Sequence, residues 1–293
     1  MPDYSKAEIT IGADPEFFLC DEMDYGIVSA LDIVEGTKEK PLPLDKSLDE
    51  GFNYHRDNVM IEVGVPPTSD PYKFADQIAT AINWANYKVH EQSDEDQSLA
   101  IYRNASVLQF EDEDLVDPRA REFGCEPDND AYEGGAQRQA PDGIMGSWRT
   151  AGGHVHIGTD VGFNCPEFIV ALLCDAYLGI NKTNENDGVH HGEAPYMHYR
   201  KPGLYRTKPY GIEYRSPSNN WTFNNNNAYM MGIRAGAVGR YCSTENATKI
   251  RTLVEKIDWM WVRSCILGIG KLDPEARALH IQTIKTLRSL GGE

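Results

Sequence analysis

The chain has 293 residues, 41% of them hydrophobic and 10% aromatic, with a formal net charge of −17 and a pI near 4.9. That length suits one large domain over residues 1–293, and the apolar share excludes wholesale disorder. A surface this acidic disfavours long nucleic acids and anionic membranes, so any phosphate-bearing ligand must be small and held by local cations or metal ions.

The six cysteines (Cys20, Cys125, Cys165, Cys174, Cys242 and Cys265) form no C-x-x-C pair, and Cys174 and Cys265 fall in apolar helical runs as core thiols. This usage fits a reducing cytoplasm. The N-terminus MPDYSKAEIT lacks an apolar h-region, and no run of about 18 apolar residues exists, so neither a signal peptide nor a transmembrane helix is expected.

In chain order, EITIGADPEFFL (8–19) reads as a strand, with 26–34 as a hairpin partner and 35–52 as mostly loop. VMIEVGVP (59–66) is a second strand. Ser69 and Asp70 are candidate caps and Pro71 a first-turn residue for a helix to about Glu91, with Phe74, Ile78, Ala81, Ile82 and Ala85 at helical spacing. LAIYRNASVLQF (99–110) is a strand. The polar stretch 111–147 is a functional loop or lid, and Trp148 to Gly158 is a strand again. PEFIVALLCDAYLGI (166–180) is an apolar helix capped by Asn164 or Cys165. A second polar loop, 181–203, carries His190, His191 and His198, and 204–221 holds one or two strands. Helices fill most of 224–243, 245–268 and 274–290. Strands and helices do not alternate strictly, which predicts an α+β fold with a helical C-terminal third. Neither G-x-x-x-x-G-K-[ST] nor G-x-G-x-x-G is present.

The chemistry lies in the strands. Residues two apart on a strand share a face, so Asp14 and Glu16 point one way, and so do His154 and His156. Glu62 sits between apolar neighbours in NVMIEVGVPP, and Glu213 shares a face with Arg215 in GIEYRSPSN. Glutamate is disfavoured in strands and costly to bury unpaired. If these strands share a sheet, one face collects Asp14, Glu16, Glu62, Glu213, His154 and His156, and the cluster calls for compensation. Hard cations such as Mg²⁺ suit carboxylate oxygens, and Mn²⁺ also tolerates histidine. Separately, YRKPGLYRTKPYGIEYR concentrates Arg200, Lys201, Arg206, Lys208 and Arg215 in this acidic chain. Arginine forks suit phosphate oxygens, whereas Lys201 reads as a surface salt-bridge residue.

GADPEFFL, DNVMIEVGVPP, FGCEPDNDAY, RTAGGHVHIG and KPYGIEYRSPSNNW, in that order, resemble the bacteriophage-type carboxylate-amine ligases. These belong to an amidoligase family in the glutamine synthetase and γ-glutamylcysteine synthetase superfamily. The motifs span roughly residues 9–221 of the sequence. The resemblance implies a glutamine synthetase-like catalytic domain on a curved, mostly antiparallel sheet, ATP with Mg²⁺, and amide formation through an acyl phosphate. It implies metal ligands at Asp14, Glu16, Glu62, His154 and Glu213, with His156 facing nucleotide or substrate. It implies phosphate-holding roles for Arg206 and Arg215, joined by Lys208 and Arg200, and Glu126 in the long loop as a general base, with Asp128 and Asp130 beside it. The first strand departs from the superfamily in having Asp14 where glutamate is frequent, and the loop before Arg200 is longer and richer in asparagine than the pattern. The partners implied are a small carboxylate and an amine, with a homo-oligomer left open; in a phage-encoded chain the compartment would be the host cytoplasm. Three alternatives stay open: a guanidino or carboxyl kinase on the same fold, a catalytically idle binding or structural subunit, and a metal-dependent hydrolase.

Overall fold

The computed structural model describes residues 7–120, 128–138, 147–182, 201–267 and 273–292. The strands are β1 (Ile9–Phe17), β2 (Leu19–Asp21), β3 (Ile27–Val28), β4 (Leu42–Pro43), β5 (Asn53–Asp57), β6 (Met60–Thr68), β7 (Leu99–Ile101), β8 (Val107–Gln109), β9 (Asn129–Asp130), β10 (Ala136–Gln137), β11 (Trp148–Thr150), β12 (Gly153–Thr159), β13 (Leu204–Lys208) and β14 (Gly211–Tyr214). The α-helices are α1 (Pro71–His90), α2 (Glu167–Tyr177), α3 (Asn225–Thr244), α4 (Ala247–Val254), α5 (Trp259–Ile266), α6 (Pro274–Thr283) and α7 (Lys285–Gly291).

Nine strands form one sheet in the order β10-β9-β13-β14-β12-β1-β6-β5-β4, and every neighbouring pair is antiparallel. The mixed fold and helical C-terminal part follow the α+β expectation. One face of β1 carries Ile9, Ile11, Ala13 and Phe17, all buried in the main core with Phe74, Ile78 and Ala81 of α1. Helix α1 starts at Pro71 because the Asp70 carboxylate accepts hydrogen bonds from the Tyr72 and Lys73 amides. Helix α3 packs against both α1 and β1, and Gly232 permits it: a Cβ there would lie 2.9 Å from Phe74 and 3.0 Å from Ile11. Among the described residues, no helix is long and apolar enough to cross a membrane.

The β1–β6 register slips by one residue between Ile11↔Thr68 and Ala13↔Val65. The extra residue falls at Pro66-Pro67, whose missing N–H groups cannot serve a regular ladder. Beyond this bulge the register sets Glu16 directly opposite Glu62.

Several expectations are corrected. Residues 26–34 do not form a long hairpin with the first strand; β3 is two residues long and pairs with β2, and Ser29 then caps a short 3-10 turn. The stretch 99–110 is two strands in different sheets, β7 beside β2 and β8 beside β11, with a polar Arg103-Asn104 step between them. Helix α2 begins after Pro166 with no side-chain cap, because Asn164 donates its side-chain amide to the carbonyls of Ser243 and Glu245 instead. The expected helix 245–268 breaks into α4 and α5, the second opened by the Asp258 cap. The described part of 111–147 is not loop alone: it contributes β9 and β10 to the edge of the main sheet.

Candidate active site

The sheet face opposite the α1–α3 core gathers the acids and bases. Because β12 lies between β1 and β14, residues far apart in sequence become cross-strand neighbours: Asp14↔His154, Gly12↔His156, His156↔Glu213 and Glu213↔Arg206. On the other side of β1, Glu16 faces Glu62, and Glu62 faces His55 of β5. Asp57, two residues after His55, shares that face.

Two groups of ligand atoms result, each within 4.8 Å of one another: Asp14, His156 and Glu213 in one, Glu16, Asp57 and Glu62 in the other. His154 lies outside both trios but between them, with Nδ1 3.3 Å from Asp14 and 3.8 Å from Glu213, and Nε2 3.9 Å from Glu16. His156 Nε2 is 3.1 Å from Asp14 Oδ2. Its Nδ1 shares a 3.0 Å hydrogen bond with the Tyr210 hydroxyl. Glu16 is anchored at its base: Gly152 N–H donates to its carboxylate at 2.6 Å, and Asn219 donates to its main-chain carbonyl at 2.8 Å. Gly153 is required here, since a Cβ would collide with the Ser218 carbonyl and the Trp221 indole.

The charges are unevenly balanced. Burial pushes the Asp14 carboxyl up, but His156 and His154 outweigh it and hold it well below the usual range. Burial likewise raises Glu213, yet Arg215 and the two histidines bring it down to about 2. Burial lowers His156, and Asp14 overcomes it, so its net shift is upward. The second trio lacks such relief. Burial raises Glu16 against the pull of His154. Glu62 stands well above its ordinary value, through burial and then the neighbouring Asp14, Asp57 and Glu16 charges. Its neighbour His55 is shifted down by burial, so it offers Glu62 little positive charge at 3.6 Å.

Arg206, Lys208 and Arg215 approach Glu213 from the other side. Lys208 Nζ is 2.8 Å from Glu213 Oε2 and Arg206 Nη1 is 3.7 Å from Oε1, while Arg215 Nη1 donates to the same Oε1. The Nε groups of Arg206 and Arg215 converge on one oxygen, Asp128 Oδ1, at 3.0 Å each.

Of the residues singled out from sequence, Asp14, Glu16, Glu62, His154, His156, Arg206, Lys208, Glu213 and Arg215 thus meet on one face. Glu126 and Arg200 lie outside the described residues, as do His190, His191, His198 and Cys125. Sequence reasoning passed over His55, Asp57 and Tyr210. The i, i+2 pair in NYHRD, one strand before Glu62, carried the signal for the first two.

A divalent cation fits this donor set. Asp14 Oδ1, His154 Nε2, His156 Nε2 and both His55 ring nitrogens are buried with no well-formed hydrogen bond among the described residues. Carboxylate trios with an imidazole suit Mg²⁺ or Mn²⁺.

No family model matches the chain, and neither does any curated protein. Among solved structures it is similar to one described as "GmaS/ADP complex-Conformation 1", at 12% identity and a TM-score of 0.41, over 99% of this chain and 71% of that one.

Proposed function

We propose that the protein is an ATP- and Mg²⁺-dependent carboxylate–amine ligase with a glutamine synthetase-like catalytic sheet, joining a small carboxylate to an amine. One observation carries the reading: two carboxylate-rich trios and three cations converge on a single sheet face. Glu213 belongs to a trio and pairs with all three cations, and phosphoryl transfer would use this meeting of metal ligands with phosphate-holding groups.

In this reading Asp14, His156 and Glu213, with Glu16, Asp57 and Glu62 alongside, hold Mg²⁺, and His154 steadies the acids of both groups. The bound ions supply charge neutralisation at phosphate oxygens. Arg206, Arg215 and Lys208 orient the γ-phosphoryl group as it passes to the acid substrate, and they stabilise the charge on its equatorial oxygens. Arg200 is proposed as a further phosphate contact, and Glu126 as the base that takes a proton from the attacking amine.

The test is a metabolite-pool screen for ADP release in the presence of Mg²⁺, followed by mass spectrometry of the product. Release that requires both an acid and an amine, with a new amide in the product, is expected. A stable phosphorylated product without an amide selects a kinase instead. Absence of ATP binding in saturating Mg²⁺ refutes both.

A further inference from the structure

Two carboxylates share the same pair of arginines, and they are held very differently. Glu213 belongs to β14, which is paired on both sides by β12 and β13. Asp128 precedes β9, which reaches β13 through just two register pairs, Leu204↔Asp130 and Tyr205↔Asn129. Among the described residues, only β10, also two residues long, lies beyond β9, at the end of the sheet. The Asp128 main chain accepts one further bond, from the Arg138 amide at 2.7 Å. Of the two acids, Asp128 is the one whose withdrawal disturbs little hydrogen bonding among the described residues, while Glu213 sits in a strand laddered on both sides.

The register explains how Asp128 arrives there. Asn129 faces Tyr205, so the preceding residue stands beside Arg206 on the same sheet face. The row then alternates in charge across four strands: Asp128, Arg206, Glu213, His156. Arg206 and Arg215 are 7% and 6% exposed. Buried guanidinium groups need compensating charge whether or not a ligand is present. Arg206 Nε donates to Asp128 Oδ1 and Arg215 Nε lies 3.0 Å from the same oxygen as an ion pair, a position suited to an oxyanion.

We propose that the Asp128 carboxylate is a built-in stand-in for a ligand's phosphate oxyanion. It fills the position between Arg206 Nε and Arg215 Nε in the free protein and is displaced when a phosphoryl group arrives. The exchange keeps an oxyanion beside both guanidinium groups, so the arginines stay neutralised and pre-oriented throughout. The cost is that every phosphoryl ligand must compete with a tethered carboxylate. This rests on the phosphate-holding role assigned above to the two arginines, but not on the ligase reaction.

The experiment is calorimetric titration of the full chain with inorganic phosphate, without divalent cations or substrates. Asp128→Asn is compared with wild type and with Glu133→Gln, which removes one exposed charge from the same segment without touching the arginines. Removing the competitor is expected to tighten phosphate binding by about tenfold or more, while Glu133→Gln stays near wild type. Unchanged or weaker binding by Asp128→Asn overturns the proposal, because Asp128 would then be a fixed part of the clamp. Equal tightening in both variants overturns it too, since the effect would be net charge alone. Hydrogen exchange on the wild type supplies a readout independent of any variant's folding. Saturating phosphate should raise exchange at the Arg138 amide; slower or unchanged exchange there refutes displacement. If ADP release succeeds while Asp128→Asn leaves phosphate affinity unchanged, the ligase reading stands and this inference alone falls.

Discussion

Replacing Glu62 by glutamine should make the metal-free protein more stable and less able to benefit from Mg²⁺. Ligand atoms of Glu16, Asp57 and Glu62 lie within 4.8 Å of one another. Two unit charges at that separation repel by about 3.5 kcal/mol at an effective dielectric constant near 20. Glu62 responds by holding its proton well above its ordinary value of 4.5, burial being the first cause and the neighbouring carboxylates the next. A carboxyl raised in the folded state contributes stability that is complete below its unfolded value and is lost as pH rises through the folded one. The wild type in chelator should therefore weaken as pH climbs from 4.5 towards 8, and Glu62→Gln should lack that component. At pH 8 the variant should exceed wild type by about 2–3 kcal/mol, less than two full repulsions because the wild type relieves part of them by protonation. In a chain of this length that is roughly 5 °C in Tm. Saturating Mg²⁺ should narrow the gap, since the wild type gains about 2.7 kcal/mol at a hundredfold excess over Kd and the variant gains less. Thermal melts followed by circular dichroism, from pH 4.5 to 8 with EDTA or Mg²⁺, read all of this. A variant no more stable than wild type in EDTA at pH 8 refutes the account of the trio as uncompensated charge.

Arg215→Met should cost about 1.5–3 kcal/mol in urea denaturation, because it removes a charge-assisted hydrogen bond to the buried Glu213 carboxylate and leaves Lys208 and Arg206 to neutralise it. Acidification should remove a Glu213 contribution that is present above its ordinary 4.5 and lost as pH falls towards about 2; Glu213→Gln should lack that step in an acid titration followed by far-ultraviolet dichroism. Gly153→Ala should lose about 1–3 kcal/mol through its collision with Ser218 and Trp221, measured by chemical denaturation. Asp57→Asn should weaken Mn²⁺ binding, measured by electron paramagnetic resonance; unchanged affinity would exclude Asp57 as a ligand.

Local patterns carried much of this molecule. The period of two placed Asp14 with Glu16 and His154 with His156 on common faces before any pairing was known. Asp70 followed by Pro71 announced the start of α1, where the structure has it. Patterns failed where a segment's fate hung on distant partners. Residues 99–110 look uniform, yet β2 takes one end and β11 the other. Asn164 has the chemistry of a helix cap, but carbonyls at the end of α3 compete for it and win.

The sequence by itself determined which residues could share a face, because side-chain alternation is a property of a single strand. Tertiary structure decided which faces meet. The placement of β12 between β1 and β14 brings Asp14, His156 and Glu213 within 4.8 Å. The Pro66-Pro67 bulge sets Glu62 against Glu16, and β5 delivers Asp57 to both. The short strand β9, next to the sheet's end, lays Asp128 across two arginines 78 and 87 residues away, by the difference of their numbers. Strand order and register are contacts between segments remote in sequence, and no periodicity within either segment encodes its neighbour.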